Sequence, residues 1–238
     1  MEIAEDGFRP VERETVVDAV IGQIKGLMRS REFVGGKPLP GERHLAKRLR
    51  VSRASVREAI RTLSHMGVLD TRHGRKTQVA ASGSDVLRAP LEFLFLLDQP
   101  SVAEIHETRE LLEVFLAGRA AERRTDEDLQ HLRQALDEMR AELGAGRPMT
   151  EPDLRFHQAV ARAAHNRLTE RIMNCLAENL RGVIHAAWPG VGDLQASYQL
   201  HENVFEAIRK RDASEARRIM QGGMDMMVAE LRAVKLLP

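Results

Sequence analysis

The fold is indicated most clearly by residues 39–67, which read LPGERHLAKRLRVSRASVREAIRTLSHMG. A short helix is predicted over residues 42–49, and a tight connection follows at residues 50–52. A second helix runs from there to His65 and stops before Gly67, since glycine is common just after a helix C-terminus. A short helix, a turn and a second helix form the helix-turn-helix unit, whose second helix enters the DNA major groove.

Further elements flank this unit on both sides. Residues 15–28 are predicted to form a preceding helix, because apolar residues recur there at helical spacing. Two short strands are predicted over residues 68–72 and 76–79, joined as a hairpin. The hairpin tip consists of His73, Gly74 and Arg75. A basic hairpin that follows a recognition helix is a wing, which suits contact with the minor groove or the DNA backbone.

The charge of the chain is distributed unevenly. Its 238 residues have a formal net charge of only +1. Residues 1–80 carry 16 Lys and Arg against 10 Asp and Glu, whereas residues 81–238 carry 20 against 25. Between Lys37 and Lys76 there are 11 basic and 3 acidic residues. This distribution predicts that only the N-terminal part meets a polyanion such as DNA, although charge alone would also fit a solvated surface.

The polar face of the second helix carries a regular set of arginines. Arg53, Arg57 and Arg61 follow one another at intervals of four residues, so their side chains lie on one face. A guanidinium group pairs bidentately with guanine or phosphate, which lysine cannot do. We therefore predict that this face reads base-pair edges in the operator.

The N-terminal residues resemble the winged helix-turn-helix domain of GntR-type bacterial regulators, over about residues 13–80. The resemblance rests on residues 39–46, residues 51–60, Leu63, Met66 and Gly67. It implies that operator DNA is contacted by Arg43, Ser52, Arg53, Ser55 and Arg57. For Arg43, a surface ion pair with Glu42 or a neighbouring acid is the alternative.

The predicted wing is similar to that of the FadR branch of this family. In that branch a wing-tip histidine and glycine reach the minor groove. His73 and Gly74 match these two residues, and the basic Arg75 follows them. The resemblance therefore adds the wing tip to the predicted DNA contacts.

The sequence beyond residue 80 predicts a different architecture. Residues 80–84 are small and polar, which places the boundary between a DNA-binding domain over residues 1–80 and a second domain over residues 81–238. Seven helices are predicted, at residues 85–97, 101–123, 126–143, 150–165, 167–187, 193–210 and 213–235. The predicted fold is therefore mainly α: a winged helix-turn-helix of three helices and a hairpin, followed by an all-α antiparallel bundle.

Three ionisable residues occupy positions where a helical bundle normally has apolar side chains. Asp153 and His157 are four residues apart on one face of a predicted helix, and His201 lies on the inner face of another. Buried ionisable groups are costly unless they are paired or bind a metal, so the three residues are candidates for a shared site. Histidines satisfied within the core are the alternative.

The C-terminal residues resemble the FCD ligand-binding domain, which follows the winged helix in the FadR branch. The resemblance rests on residues 107–113, residues 153–157, Asn166, His201, Val204, Ala207 and Ile208. It implies an effector-binding and dimerisation domain that often holds a divalent metal through an aspartate and three histidines. Asp153, His157 and His201 match three of these ligands. Arg109 matches an arginine that often pairs with an effector carboxylate, and an ion pair with Glu113 is the alternative.

The fourth ligand position departs from the family pattern. Where a histidine is usual, this chain has Gly223 on the inner face of the last predicted helix, and the missing imidazole is expected to leave space. Two interpretations follow. Either three protein ligands hold zinc, nickel or manganese with open positions for water or effector, or a metal-free polar cavity binds the effector directly.

The sequence as a whole indicates a DNA-binding regulator that is not an enzyme. We expect a repressor that binds a pseudo-palindromic double-stranded operator as a homodimer and responds to a small organic acid. The alternatives are a metal-free regulator that responds to fatty acyl-CoA or another ligand and, from a different class, a metal-dependent hydrolase.

The single cysteine, Cys175, excludes an intrachain disulfide. We also expect a cytoplasmic protein without membrane contact, because the sequence shows neither a signal peptide nor a span of ~20 apolar residues.

Overall fold

The computed structural model describes residues 14–71, 76–80, 83–187 and 193–233, with the side chains of residues 84, 85, 88, 89 and 178–187 left aside. The chain divides into two compact units, Met1–Ala89 and Pro90–Pro238, and each is described by itself. The domain boundary predicted between residues 80 and 81 stays a prediction.

The predicted fold class is confirmed, because the described residues are mainly helical with a small hairpin in the first unit. The first unit contains α1 Val16–Arg29, α2 Glu42–Leu49, α3 Arg53–His65, β1 Leu69–Asp70 and β2 Gln78–Val79. Helix α4, Ser84–Asp98, spans the division between the units. The second unit continues with α5 Val102–Arg123, α6 Asp126–Gly144, α7 Thr150–Ala163, α8 Arg167–Ala187, α9 Leu194–Arg209 and α10 Ala213–Ala233.

The helices of the first unit pack around a small apolar core. Helix α1 begins after Thr15, whose Oγ1 accepts a hydrogen bond from the Asp18 main-chain N at 3.1 Å. All five elements contribute to the core, which contains Val20, Ile24, Leu45, Ala46, Val56, Ala59, Ile60, Leu63, Leu69 and Val79. Packing against this core fixes one face of α3, so its opposite face is left exposed.

The turn between α2 and α3 explains how two short helices follow one another so closely. Arg50 ends α2 with φ at 54°, a left-handed conformation that lets the chain reverse direction. Ser52 then caps α3, because its Oγ accepts a hydrogen bond from the Ser55 main-chain N at 3.0 Å. The predicted helix-turn-helix is present as expected.

The hairpin strands are shorter than the sequence predicted. Strands β1 and β2 pair antiparallel, and each spans two residues. The segment that leads into α2 pairs with the other edge of β2: the Leu39 N donates to the Thr77 O at 2.7 Å, and the Val79 N donates to the Lys37 O at 3.0 Å. The predicted wing tip lies outside the described residues, and it comprises His73, Gly74 and Arg75.

The core of the second unit lies among α5, α6, α7, α8, α9 and α10. Its largest fully buried side chains are Leu116, Leu132, Leu136, Met139, Met149, Phe156, Met173, Ile208 and Met220. Each such side chain stabilises the fold by about 1.5–3 kcal/mol relative to an exposed position. Helices α7 and α9 both contribute to this core, which holds their inner faces close to α5.

Asp128 closes a capping box at the start of α6. The Thr125 N donates to Asp128 Oδ2 at 2.9 Å, and the Asp128 N donates to Thr125 Oγ1 at 3.2 Å. From the end of α7, His165 Nε2 lies 2.8 Å from the same Oδ2, and Arg162 Nε lies 3.9 Å from Oδ1. Burial raises the pKa of Asp128, but the hydrogen bonds from Thr125 and His165 outweigh burial and leave the pKa below its ordinary value.

Asp128→Asn is expected to weaken the acid sensitivity of the fold. Because the pKa of Asp128 is lower in the folded than in the unfolded chain, the carboxylate stabilises the fold above the unfolded value. This contribution is lost as the pH falls through the folded value. Urea unfolding at about pH 7, pH 5 and pH 3 measures the difference. Asp126→Asn removes an exposed carboxylate of the same helix and should keep the parent profile. Identical profiles for Asp128→Asn and the parent would contradict the expectation.

Candidate functional site

The exposed face of α3 carries the predicted DNA-reading residues. Arg53, Arg57 and Arg61 are all exposed, whereas Val56 and Leu63 on the other side of the helix are fully buried. Ser52 and Ser55 lie at the start of the helix, with their hydroxyl oxygens 2.9 Å apart. The first unit thus presents a basic helix surface that the core does not use.

Glu42 pairs with a residue of the recognition helix. Arg57 Nε donates to Glu42 Oε2 at 3.2 Å, and the two side chains are 50% and 33% exposed. The alternative considered for Arg43, an ion pair with Glu42, is therefore not the pairing observed. Exposed pairs contribute only about 0–1 kcal/mol, so Arg57 can leave Glu42 for DNA at little cost. The DNA contacts assigned by resemblance to Arg43, Ser52, Arg53, Ser55 and Arg57 stay predictions.

The second unit brings Asp153, His157 and His201 together. One ligand atom from each of the three side chains lies within 4.8 Å of the other two. Asp153 and His157 share a face of α7 through their i, i+4 spacing, and α9 supplies His201. His201 Nε2 lies 3.0 Å from Asp153 Oδ1 and 3.3 Å from His157 Nε2. Two helices that are distant in sequence thus build one cluster.

The protonation pattern of His201 follows from its neighbours. Its Nδ1 lies 2.7 Å from the main-chain O of Ser197, which can only accept a hydrogen bond. The proton of a neutral ring is therefore on Nδ1, and Nε2 presents a lone pair to Asp153 Oδ1. Two acceptors at 3.0 Å repel each other unless a metal ion or a proton joins them. With a proton on Nε2, His201 donates a hydrogen bond to Asp153 Oδ1; with a metal ion, both atoms are ligands.

The cluster is buried, so its ionisable groups depend on one another and not on water for stabilisation. His157 and His201 are buried, and the ring of Phe156 packs edge-on against both imidazoles, with centroids at 6.0 and 5.0 Å. Burial raises the pKa of Asp153, but the hydrogen bond from His201 and the charges of His157 and Arg109 hold that pKa well below its usual range. Asp153 is therefore an anion in the folded chain.

Glu113 is a fourth member of this region that the sequence analysis did not assign to the site. Its side chain is 2% exposed; Oε1 accepts a hydrogen bond from Arg109 Nε at 2.7 Å, and Oε2 lies 2.6 Å from His157 Nδ1. Burial raises the pKa of Glu113, but Arg109 and His157 lower it to about 2. A signal was present, since Arg109, Glu113 and Leu116 follow the inward spacing of α5.

Arg109 adopts the intrahelical pair that the sequence left as the alternative. Its Nε is bonded to Glu113, and its Nη1 contacts the Met227 Sδ at 3.5 Å, which is a weak acceptor. Arg109 also lies near enough to lower the pKa of Asp153. Its assigned role toward an effector carboxylate stays a prediction.

The space expected beside Gly223 is absent, so that expectation was wrong. Gly223 is buried on α10, as predicted, but a Cβ atom built there would lie 2.7 Å from Leu200 Cδ2 and 3.3 Å from Leu200 Cδ1. Leu200, from α9, packs against the glycine. The volume that an additional imidazole would need is therefore occupied by an aliphatic side chain.

Comparison with known proteins accounts for both units. Residues 16–79 match the family described as "Bacterial regulatory proteins, gntR family", and residues 104–225, which make up more than half of the chain, match "FCD domain". The chain belongs to the GntR family. The FCD match contains the whole candidate cluster, from Arg109 to Gly223.

Individual relatives of this GntR-family chain carry regulatory names. The HTH-type transcriptional repressor NanR of Cronobacter sakazakii is 32% identical over 96% of this chain and 90% of its own length. The HTH-type transcriptional regulator LutR of Bacillus subtilis is 30% identical over 82% of this chain and 91% of its own. A solved structure, Streptococcus agalactiae GntR, has a TM-score of 0.73 at 27% identity and covers 90% of this chain and 99% of that one.

Family membership decides between the functional classes. The GntR-family chain is a DNA-binding transcriptional regulator, because its family and its relatives are regulators and not enzymes. The hydrolase interpretation is therefore wrong. Within the part of the chain that the structure describes, no helix has both the length and the hydropathy of a membrane span.

Proposed function

We propose that this GntR-family regulator is a repressor of the FadR branch that binds a pseudo-palindromic operator as a homodimer. A small organic acid controls it through a divalent metal in the C-terminal helical domain. The observation that supports a metal site is the convergence of Asp153, His157 and His201 within 4.8 Å. A chromosomal operator as partner implies action in the cytoplasm.

The donor atoms suit a first-row divalent metal. Imidazole nitrogen and carboxylate oxygen together bind zinc, nickel or manganese. Asp153 is held anionic, and His201 Nδ1 is bonded to the Ser197 carbonyl, which leaves Nε2 for a metal. Three protein ligands leave coordination positions open, and a carboxylate group from the effector can fill one of them.

Arg109 offers a second contact for an effector that is an organic acid. Its guanidinium is buried beside the cluster, and Nη1 contacts only the weak Met227 acceptor among the residues described. A small organic acid would then bridge the metal and Arg109. Its binding shifts the DNA-binding equilibrium only by as much as it prefers one conformation of the dimer over the other.

The dimer follows from the needs of operator recognition. One recognition helix reads too few base pairs for useful selectivity, so a two-fold assembly presents two α3 helices to symmetric half-sites. Sedimentation on operator-length DNA is expected to give two chains per site. A single chain per operator would contradict this part of the proposal.

Metal analysis tests the central claim. Native mass spectrometry on protein purified without chelator is expected to show one divalent ion per chain. A panel of small carboxylic acids is then screened for release of operator DNA, before and after chelation. If no ion binds and chelation leaves the effector response unchanged, the regulator is metal-free, and fatty acyl-CoA becomes a candidate effector.

Gly223→His is expected not to strengthen metal binding by itself, because the new side chain would meet Leu200. Combined with Leu200→Ala, the same substitution should tighten zinc binding on the order of tenfold or more, equal to about 1.4 kcal/mol. Competition with a chromophoric chelator measures both variants. Leu200→Ala alone is the control, and it should bind zinc like the parent. Equal affinities for the double variant and this control would contradict the placement of a fourth ligand at residue 223.

A further inference from the structure

The buried pair of Arg109 and Glu113 is a feature that the proposed metal site does not itself require. The two side chains are 6% and 2% exposed, and both belong to α5, which contributes none of the three candidate ligands. A buried ion pair is weak evidence for stability, since apolar side chains of similar volume often serve as well. The pair therefore needs an explanation beyond packing.

Each carboxylate oxygen of Glu113 has a close polar neighbour. Oε1 accepts a hydrogen bond from Arg109 Nε at 2.7 Å, which fixes the plane of the carboxylate. Oε2 lies 2.6 Å from His157 Nδ1. The contact does not have the geometry of a hydrogen bond, but both atoms are buried, and a lone pair on Nδ1 would repel the carboxylate oxygen at this distance. A proton on Nδ1 is therefore favoured, and the Nε2 of the neutral ring then has the lone pair.

The direction of that lone pair connects Glu113 to the cluster. His157 Nε2 lies 3.3 Å from His201 Nε2 and 3.9 Å from Asp153 Oδ1. The opposite tautomer would turn a lone pair on Nδ1 toward the Glu113 oxygen and a hydrogen into the cluster. Histidine ligands commonly have their second nitrogen fixed in this way by a carboxylate or a carbonyl.

We propose that Glu113, held by Arg109, is a positioning residue that fixes the tautomer and ring orientation of His157, so that Nε2 is directed at the cation bound by Asp153 and His201. The inference rests on the proposed metal function. His201 has the same arrangement, but its partner is the main-chain O of Ser197. A side-chain substitution cannot remove the main-chain O of Ser197, but it can remove the carboxylate of Glu113.

Two variants separate positioning from packing. Glu113→Gln keeps the shape but offers one acceptor oxygen where Arg109 and His157 each need one. The double variant Arg109→Met with Glu113→Met removes both members of the pair, so neither is left as an unpaired charge. Glu122→Gln is the matched control, because Glu122 also lies on α5 and pairs with Arg119, but at the surface.

Zinc affinity of the full-length chain is the first readout, measured with zinc alone against a chromophoric chelator. Both variants are expected to bind zinc about 10–100-fold more weakly than the parent, and the control should match the parent. Affinities of both variants within about twofold of the parent would overturn the proposal, because loss of such a ring partner costs at least tenfold.

The tautomer of His157 is the second readout, and it does not depend on metal. Long-range proton–nitrogen NMR of metal-free protein, at alkaline pH where the ring is neutral, should show the proton of His157 on Nδ1 in the parent. In the double variant it should move to Nε2, next to Asp153. If the parent binds no zinc, the proposed metal function fails, and this measurement still decides the role of Glu113. An Nε2 proton in the parent, or an unchanged Nδ1 proton in the double variant, would overturn it.

Discussion

Arg109→Ala is expected to lower the free energy of unfolding by about 3–5 kcal/mol, the largest effect we anticipate for a single substitution in the second unit. The change leaves the Glu113 carboxylate buried without its guanidinium partner. Part of the loss should be recovered at low pH, because protonation of Glu113 removes the uncompensated charge. Urea unfolding followed by circular dichroism measures the difference.

The double variant Arg109→Met with Glu113→Met is the control for this prediction. It removes the same guanidinium together with the Glu113 carboxylate, so its stability should lie within about 1 kcal/mol of the parent or above it. Arg119→Ala, which breaks an exposed pair on the same helix, should cost at most about 1 kcal/mol. A loss in Arg109→Ala no greater than that in Arg119→Ala would show that burial of the pair has no energetic consequence.

Arg53→Ala is expected to weaken specific operator binding by about 1–3 kcal/mol, between roughly fivefold and 150-fold. Arg53 is exposed at the first turn of α3, and the core residues of that helix face the other way. Loss of a bidentate contact should relax the preference at one base pair and leave the others unchanged. Competition of operator variants in a fluorescence anisotropy titration measures this directly.

Lys47→Ala supplies the comparison for DNA binding. Lys47 is exposed on α2, and we expect it to add charge and no base contact. Its loss should weaken binding to all sequences alike and lower the salt dependence by about one unit. If Arg53→Ala behaves in the same way, α3 is not the helix that reads the operator.

The sequence predicted local structure well because local structure depends on near neighbours. The α3 helix could be placed between the connection at residues 50–52 and Gly67 beyond its end, and the structure has Ser52 as its cap. The helices of the second unit were placed from apolar periodicity and from breaks at proline and glycine. The strands were placed less well: β1 and β2 span two residues each, and the sequence pattern did not show that the segment around Leu39 pairs with the other edge of β2.

For the site, the sequence by itself determined which residues could take part. The i, i+4 spacing of Asp153 and His157 fixes their common face on any helix, and His201 could be placed on an inner face. Only the tertiary structure decided that α9 brings His201 Nε2 to 3.0 Å from Asp153, and that α5 brings Glu113 to His157. Gly223 gives a second example. The sequence showed that the family histidine is missing there, but only the packing of α9 against α10 shows that Leu200 occupies the space beside the glycine. Spacing along a helix fixes a residue's direction from its own axis, whereas the atom it meets depends on how separate helices pack.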